Sequence, residues 1–407
     1  MATETNFLAN DHPPQPGHAP FLTWRWFGLH IALPFALTRL LLIAASFVAL
    51  NQLVVRREIH IWQIAPSGQA EALRLYPTDP SLSFRPYWFV NSFSRWDAEW
   101  YLDIAKHGYH YEEGRGLRAN TAFFPLYPAL IAVLARPFGD RDITYLLAGL
   151  AISHLSLLIG LTFLAALIRL EFDSETAARS ILYLLVFPTT LFFSAVYTES
   201  LFLALSVIAF YCARRGGWWL AGLAAAGATL TRPPGILVCA ALGLEYLHQR
   251  QFRLRAIRAD ILALALSPLA LLLHFSYFAW KFGNFWLFFK TEHDWGRPLA
   301  SATGRLAAFL HFSGGDLFVT LLALVLIPLA WRRLRPSYSL YATLAFLMPL
   351  ASGTLLGVAR YNVVIFPFYI LLARAGRHPG FDRPWLILSS STAILFMVMF
   401  CLWRFVG

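Results

Sequence analysis

The sequence predicts an all-α polytopic membrane protein. Three observations carry this: 58% of its 407 residues are hydrophobic, only 14% are charged, and long apolar runs recur along most of the chain. A soluble domain of ordinary composition is about a quarter charged. Such runs have nowhere to be buried in water, whereas a bilayer hides them and forces the backbone into helices.

Residues 1–26 hold Asp11 and several prolines with little apolar length, so they read as a polar cytoplasmic tail and not as a signal peptide. Residues 27–407 read as one membrane domain. Its first span is expected at 27–51, followed by an extracytoplasmic loop over 52–137 whose helices lie in the interface. Further spans are expected near 143–169, 178–193, 197–213, 218–231, 234–248, 259–281, 316–331, 338–357, 361–376 and 384–404, with a second outer loop at 282–315. The segment 121–137 is ambiguous on apolar length alone. If it does not cross, the Arg-rich connections 169–179, 214–215, 250–258, 332–335 and 374–383 all fall on the side of the N-terminus. Cytoplasmic loops concentrate Lys and Arg, so this topology of about 11 transmembrane helices is the one expected.

The formal charge is +11, with Lys and Arg together numbering 33. The basic residues cluster between apolar runs, so they read as orientation signals, and no nucleic-acid partner is expected. Cys212, Cys239 and Cys401 lie in apolar stretches without metal-ligand spacing. No Walker loop, Rossmann glycine fingerprint or His-Glu-x-x-His occurs, so a nucleotide-linked substrate has no visible site.

The expected outer side collects the unusual polar residues. In Ser94-Arg-Trp-Asp-Ala-Glu-Trp-Tyr-Leu-Asp-Ile-Ala-Lys-His-Gly-Tyr109, a helix stopping at Gly108 places Phe93, Trp100, Tyr101 and Ile104 beside Asp97. Glu99, Asp103 and Lys106 would group elsewhere and satisfy one another. An ionised group on an aromatic face needs a partner or a purpose. The alternative is that Asp97 caps a helix starting at Ala98 while the tryptophans anchor it in the headgroups. Glu199, in Tyr197-Thr-Glu-Ser-Leu-Phe202, reads either as a second outer acid or as an ordinary first-turn helix residue. Arg232, Arg360 with Tyr361, Lys281, Lys290, His293 and Arg297 are outer-side candidates for a lipid phosphate. Each taken singly reads first as snorkelling to the headgroups, and only together do they point to a phosphate. His154 reads as an interior histidine.

Arg95-Trp-Asp-Ala-Glu-Trp-Tyr-Leu-Asp-Ile-Ala-Lys-His-Gly-Tyr-His-Tyr-Glu112, Ala122-Phe-Phe-Pro-Leu-Tyr-Pro128 and Tyr197-Thr-Glu-Ser-Leu-Phe202 together resemble the PIG-V mannosyltransferases, glycosyltransferase family 76 of the GT-C superfamily. The blocks cover about a tenth of the chain. The link from Glu112 to Ala122 is longer than in eukaryotic members and carries Arg115 and Arg118.

The resemblance implies a GT-C-like fold and a glycosyltransferase. It would move a hexose, mannose in this family, from a polyprenyl-phosphate donor of the dolichyl-phosphate type to a lipid-linked or other glycan acceptor, at the outer face and with inversion. It implies Asp97 as catalytic base and, less directly, Glu199 as its helper. Trp96, Trp100, Tyr101, His107, Tyr109, Arg232, Lys290, His293, Arg360 and Tyr361 are then expected to line the substrate site. No cofactor is called for and a divalent cation is left open. The expected partners are the donor, the acceptor and membrane lipids, and nothing points to a protein partner. The compact chain, its polar tail and its Arg usage point to a bacterial member, placed in the bacterial cytoplasmic membrane; a eukaryotic one would sit in the endoplasmic reticulum membrane. The rival classes are a transporter or lipid flippase, marked by inverted repeats that the sequence does not show, and a non-catalytic subunit, marked by loss of the acids.

Overall fold

A computed structural model describes residues 22–53, 90–111, 119–294, 313–351, 355–402, 404 and 406. Every regular element among them is helical. Five helices are long and apolar enough to cross a bilayer: α1 (Trp24–Asn51), α4 (Asp142–Ile168), α9 (Ala259–Phe282), α11 (Gly314–Arg333) and α15 (Pro379–Cys401). They coincide with five of the eleven expected spans.

The other six spans are also helical but shorter: α5 (Ser174–Leu185), α6 (Glu199–Arg214), α7 (Trp218–Thr231), α8 (Gly235–Gln249), α12 (Pro336–Leu350) and α14 (Phe366–Ala375). At 1.5 Å per residue, even the 16 residues of α6 rise only about 24 Å, less than the roughly 30 Å hydrocarbon core. The shortening has local causes. Pro188 follows α5, Pro233 and Pro234 separate α7 from α8, and Gly357 adopts a left-handed φ of 85° before the short α13 (Val358–Asn362). Backbone that leaves the α-helix is tolerated at membrane depth where protein surrounds it; residues 186–198, with a 3-10 turn at Thr190–Phe193, are buried without exception.

Small residues set the closest approaches. A Cβ on Gly160 of α4 would lie 3.2 Å from the Ala204 backbone of α6, and one on Gly222 of α7 would lie 2.1 Å from the Ala263 carbonyl of α9. Without a hydrophobic force between helices in lipid, such contacts are what packing can use.

The segment in question as a span forms α3 (Leu126–Ala135), ending in a 3-10 turn at Arg136–Phe138. It is too short to cross and packs against α2 (Ala98–His107) and α4. Consequently the start of α1 and all five Arg-rich connections share one end of the bundle. There the Trp26 indole donates to Ser174 at 2.6 Å, Arg335 pairs with Glu245 at 3.0 Å, Arg179 lies 3.6 Å from Asp382, and Arg377 pairs with Asp173. At the other end, Lys106 pairs with Asp142 at 2.6 Å and Lys281 donates to the Tyr109 carbonyl at 2.7 Å. The short α10 (Leu287–Asp294) docks at this end through a Thr291–Thr121 hydroxyl pair at 2.6 Å.

Candidate active site

Four charged side chains from four separate stretches meet where the short helices end. Asp97 stands just before α2, Glu199 opens α6, Arg232 follows α7, and Arg360 lies in α13. Arg360 Nε donates to Glu199 Oε1 at 2.6 Å and Nη1 pairs with Asp97 Oδ2. Arg232 Nη1 lies 3.0 Å from the same Glu199 oxygen, close enough for an ion pair but out of hydrogen-bond alignment, and Glu199 Oε2 has no partner among the described residues. Two cations thus face two anions, a balance that burial in a low-dielectric medium demands.

The positioning of each group is local. Asp97 occupies the N-cap position of α2, yet its side chain makes no capping bond. The capping alternative therefore fails: the carboxylate is turned to Arg360. Trp96, just before it, has φ +59°, a conformation sparsely populated by bulky residues. The turn is held by Val196 N–H donating to the Phe93 carbonyl at 3.0 Å and the Tyr197 hydroxyl donating to the Arg95 carbonyl at 2.9 Å.

Arg232 sits in extended backbone between α7 and α8. A Cβ on Gly235 would come within 2.2 Å of the Thr229 nitrogen, so only glycine lets the chain double back there. Arg360 is fixed through its neighbour: Ala359 N–H donates to Asp316 Oδ1 at 3.0 Å and its carbonyl accepts from the Thr189 hydroxyl at 3.0 Å.

Aromatic rings sheathe the cations. The Arg360 guanidinium lies 4.4 Å from the Tyr197 ring centre, and the Tyr361 ring stands between Arg232, at 5.0 Å, and Arg360, at 5.7 Å. Tyr101 packs edge-on to Tyr127 at 5.4 Å, with its hydroxyl 3.4 Å from Thr198 Oγ1. Burial pushes its phenol above the ordinary range, so it stays protonated. Trp100 stacks on Phe123 at 5.8 Å. The Phe-Phe-Pro segment is thus the floor under α2.

Exposure separates the two acids. The Asp97 side chain is 32% accessible, Glu199 0%, and Arg360 and Arg232 are nearly enclosed.

The structure brings together Asp97, Glu199, Arg232, Arg360 and Tyr361, with Trp96 and Tyr101 alongside. His107, Tyr109, Lys290 and His293 belong to a second assembly at the same end. There His107 Nδ1 contacts Asp103 at 3.0 Å, the Tyr109 hydroxyl donates to the Phe123 carbonyl at 2.7 Å, Lys290 lies 5.5 Å from the Tyr111 ring, and His293 projects outward. Arg297 falls outside the described residues. Two sequence readings need correction. Phe93 is not a helical neighbour of Asp97, because α2 starts only at Ala98. Glu99, Asp103 and Lys106 do not serve one another: Asp103 is buried against His107, His110 and Asn120, and Lys106 has Asp142.

Two contributors escaped the sequence reading. Arg39, inside α1, donates to Ser194 at 2.6 Å and Thr190 at 2.9 Å, bracing the buried segment before Tyr197. An arginine in the middle of an apolar span was the available signal. Asp316 was signalled by its Ser-x-x-Asp spacing with Ser313, which forms a capping box. Among the described residues, no three His, Cys, Asp or Glu side chains are arranged to hold a metal ion.

Beside the site, between α11 and α15, lies a partly open cavity of about 320 Å³, lined by Pro188, Phe318, Val319, Trp385, Phe396 and Met399 among others. Its walls are overwhelmingly apolar. Pro188 adjoins Thr189, and Val319 lies one turn from Asp316, so the cavity borders the two residues that hold Ala359.

Among the described residues, five helices long and apolar enough to cross a bilayer, broken helix ends buried among them and a four-charge cluster with one accessible carboxylate define an integral multi-pass membrane protein with a site for polar chemistry. The family profile described as Mannosyltransferase (PIG-V) matches residues 47–289. The chain belongs to that family. It is similar to the mouse GPI alpha-1,6-mannosyltransferase 2, 31% identical over 183 residues covering 43% of this chain and 33% of the mouse protein. It is similar also to the human protein of that name, 34% over 158 residues, 36% of this chain and 30% of the human one. The GPI mannosyltransferase 2 of Yarrowia lipolytica is 30% identical over 167 residues, 40% of this chain and 43% of the yeast one. The match spans about a third of the mammalian relatives' length.

Proposed function

We propose that the protein is a membrane glycosyltransferase that moves a mannose from a polyprenyl-phosphate donor to a hydroxyl of a lipid-linked glycan, with inversion. The observation that carries this is the exposure difference within the cluster. A general base must reach the proton it removes. Asp97 is accessible, whereas Glu199 is enclosed and spoken for by both arginines. In this reading Asp97 takes the acceptor's proton, and the acceptor oxygen bonds to the anomeric carbon as that carbon's bond to phosphate oxygen breaks. The departing phosphate carries the negative charge, so the leaving group needs no strong acid. Arg360 and Arg232 hold that charge, and Glu199 fixes their geometry. An incoming phosphate competes with Asp97 for Arg360, which frees the carboxylate when the donor is in place. The apolar cavity between α11 and α15 suits the donor's hydrocarbon chain.

Support for mannose and a lipid-linked acceptor comes from the family and from the relatives' names. The excess of arginine at one end supports placing that end in the cytoplasm, with the site, residues 52–137 and residues 282–315 on the outer side. Residues 27–407 then act as one catalytic membrane domain behind a polar tail. The test is transfer by the purified full-length protein from radiolabelled polyprenyl-phosphate mannose to a lipid-linked glycan. Labelled product is expected, with no transfer from a nucleotide-linked mannose. Transfer from the nucleotide sugar alone would refute the donor class.

A further inference from the structure

At the opposite end of the bundle from the charge cluster, an open pocket of about 480 Å³ lies between the start of α7, the end of α8 and the start of α9. Trp218, Gln249, Arg250, Arg253, Arg258 and Asp260 line it. Arg250 is spent on structure: it pairs with Asp260 at 3.2 Å, donates to the Ala256 carbonyl at 3.0 Å and stacks over the Tyr246 ring at 3.5 Å. Arg253 and Arg258 are exposed, and neither has a carboxylate in ion-pair reach among the described residues. The lining therefore carries a net two positive charges.

A second observation points the same way. α7 begins at this pocket with Gly217 as N-cap, which supplies no side-chain cap. Its first turn carries no acidic side chain, and the Trp218 N–H donates to the Gly216 carbonyl at 3.1 Å, so the partial positive charge of that end is not neutralised within the turn. A third concerns the rim. The connection from α8 to α9 projects Phe252, 57% exposed, and Leu254, 74% exposed, beside the arginines. Gln251 and Phe252 in this connection both hold left-handed backbone, with φ +53° and +57°. Arginines that served only to orient the chain could face open water. Here they line a concavity beside the start of the crossing helix α9, edged by apolar side chains.

We propose that this pocket binds the phosphate headgroup of an anionic membrane phospholipid. Arg253 and Arg258 hold the phosphate beside the start of α7, and Phe252 and Leu254 lie along the acyl chains. Headgroup and hydrocarbon are recognised side by side, which a free phosphate would not need. The site is separate from the charge cluster and stands whether or not the transfer reaction is as described.

The experiment is thermal unfolding of the purified full-length protein in neutral detergent with added phosphatidylcholine, alone or with increasing phosphatidylglycerol at constant total lipid. Wild type is expected to gain a few degrees, saturably, as phosphatidylglycerol rises, because a ligand of the folded state stabilises it by mass action. Arg253→Gln/Arg258→Gln should lose most of that gain, while Arg255→Gln, exposed outside the pocket, should keep it. Lipid adducts counted by native mass spectrometry should follow the same order. Equal stabilisation by phosphatidylcholine, or a full gain in the double variant, would overturn the proposal. Reproduction of the gain by millimolar inorganic phosphate would overturn the lipid assignment.

Discussion

Glu199 is the group on which the charge balance of the site depends, and its replacement by Gln tests that balance. The carboxylate is wholly enclosed and lies 2.6 Å from Arg360 and 3.0 Å from Arg232. In Glu199→Gln, Arg360 still has Asp97, which is one-third exposed. Arg232 is left as a buried cation with no carboxylate. Removing one partner of a buried pair typically costs about 3–5 kcal/mol, because the other charge stays uncompensated. The upper part of that range applies only if Arg232 cannot swing toward solvent, and the neighbouring Phe202 and Tyr361 rings confine it. The double variant Glu199→Gln/Arg232→Gln removes both charges and keeps the Asp97–Arg360 pair, so it should recover part of the loss, with a coupling of about 1–3 kcal/mol. The assay is tryptophan-fluorescence unfolding of the full-length protein in detergent, for wild type, both single variants and the double. The midpoints are expected to order as wild type, double variant, then Glu199→Gln. Strict additivity of the two substitutions would refute the reading of Glu199 as the counter-ion of both arginines.

Three further outcomes follow. A Cβ on Gly315 would lie 2.8 Å from the Phe396 ring, both residues lining the apolar cavity. Gly315→Leu is therefore expected to raise KM at least several-fold for a long-chain polyprenyl-phosphate donor, but not for a short-chain analogue, in a transfer assay. Burial pushes the Glu99 carboxyl up to about 7, only partly opposed by Arg95. A carboxyl raised in the folded state binds its proton more tightly there than when unfolded. Its contribution is thus favourable at low pH and is lost as pH rises from the ordinary carboxylate range through about 7. Glu99→Gln should accordingly raise the unfolding midpoint at pH 8 relative to wild type and leave it unchanged at pH 4. For topology, single cysteines at His293, 72% exposed, and at Leu254, 74% exposed, mark the two ends. With Cys212, Cys239 and Cys401 replaced, the first should react with a membrane-impermeant maleimide in intact cells and the second only after permeabilisation.

The helical membrane fold was legible because apolar run length reports directly on the bilayer. The depth to which each helix reaches was less so. Pro188, Pro233–Pro234 and Gly357 are visible as breaks, but that α6, α7 and α13 bring their ends to one point depends on packing between distant helices. The partnership of Asp97 with Arg360 illustrates the limit. Each stood out separately, one on an aromatic face and one at the start of an apolar run, and nothing in a linear pattern states that they touch. Asp103 shows the converse. Its helical spacing placed it with Lys106, yet tertiary contacts gave Asp103 to His107, His110 and Asn120 and gave Lys106 to Asp142. Arg39 was hidden in plain sight, since an intramembrane charge counts little against the mean hydropathy of a span.

The central claim is that Asp97 removes the acceptor's proton, and the most direct measurement is the turnover of Asp97→Asn. The substitution keeps the size of the side chain and an oxygen for Arg360 but abolishes proton acceptance. Turnover is expected to fall by about two to four powers of ten, the usual contribution of a positioned base. Donor affinity, measured separately by binding of the labelled polyprenyl-phosphate sugar, should be retained or strengthened, because Arg360 loses a competing anion. Glu175→Gln, at the other end and 68% exposed, should behave as wild type. An Asp97→Asn enzyme that turns over at a near wild-type rate would contradict the account.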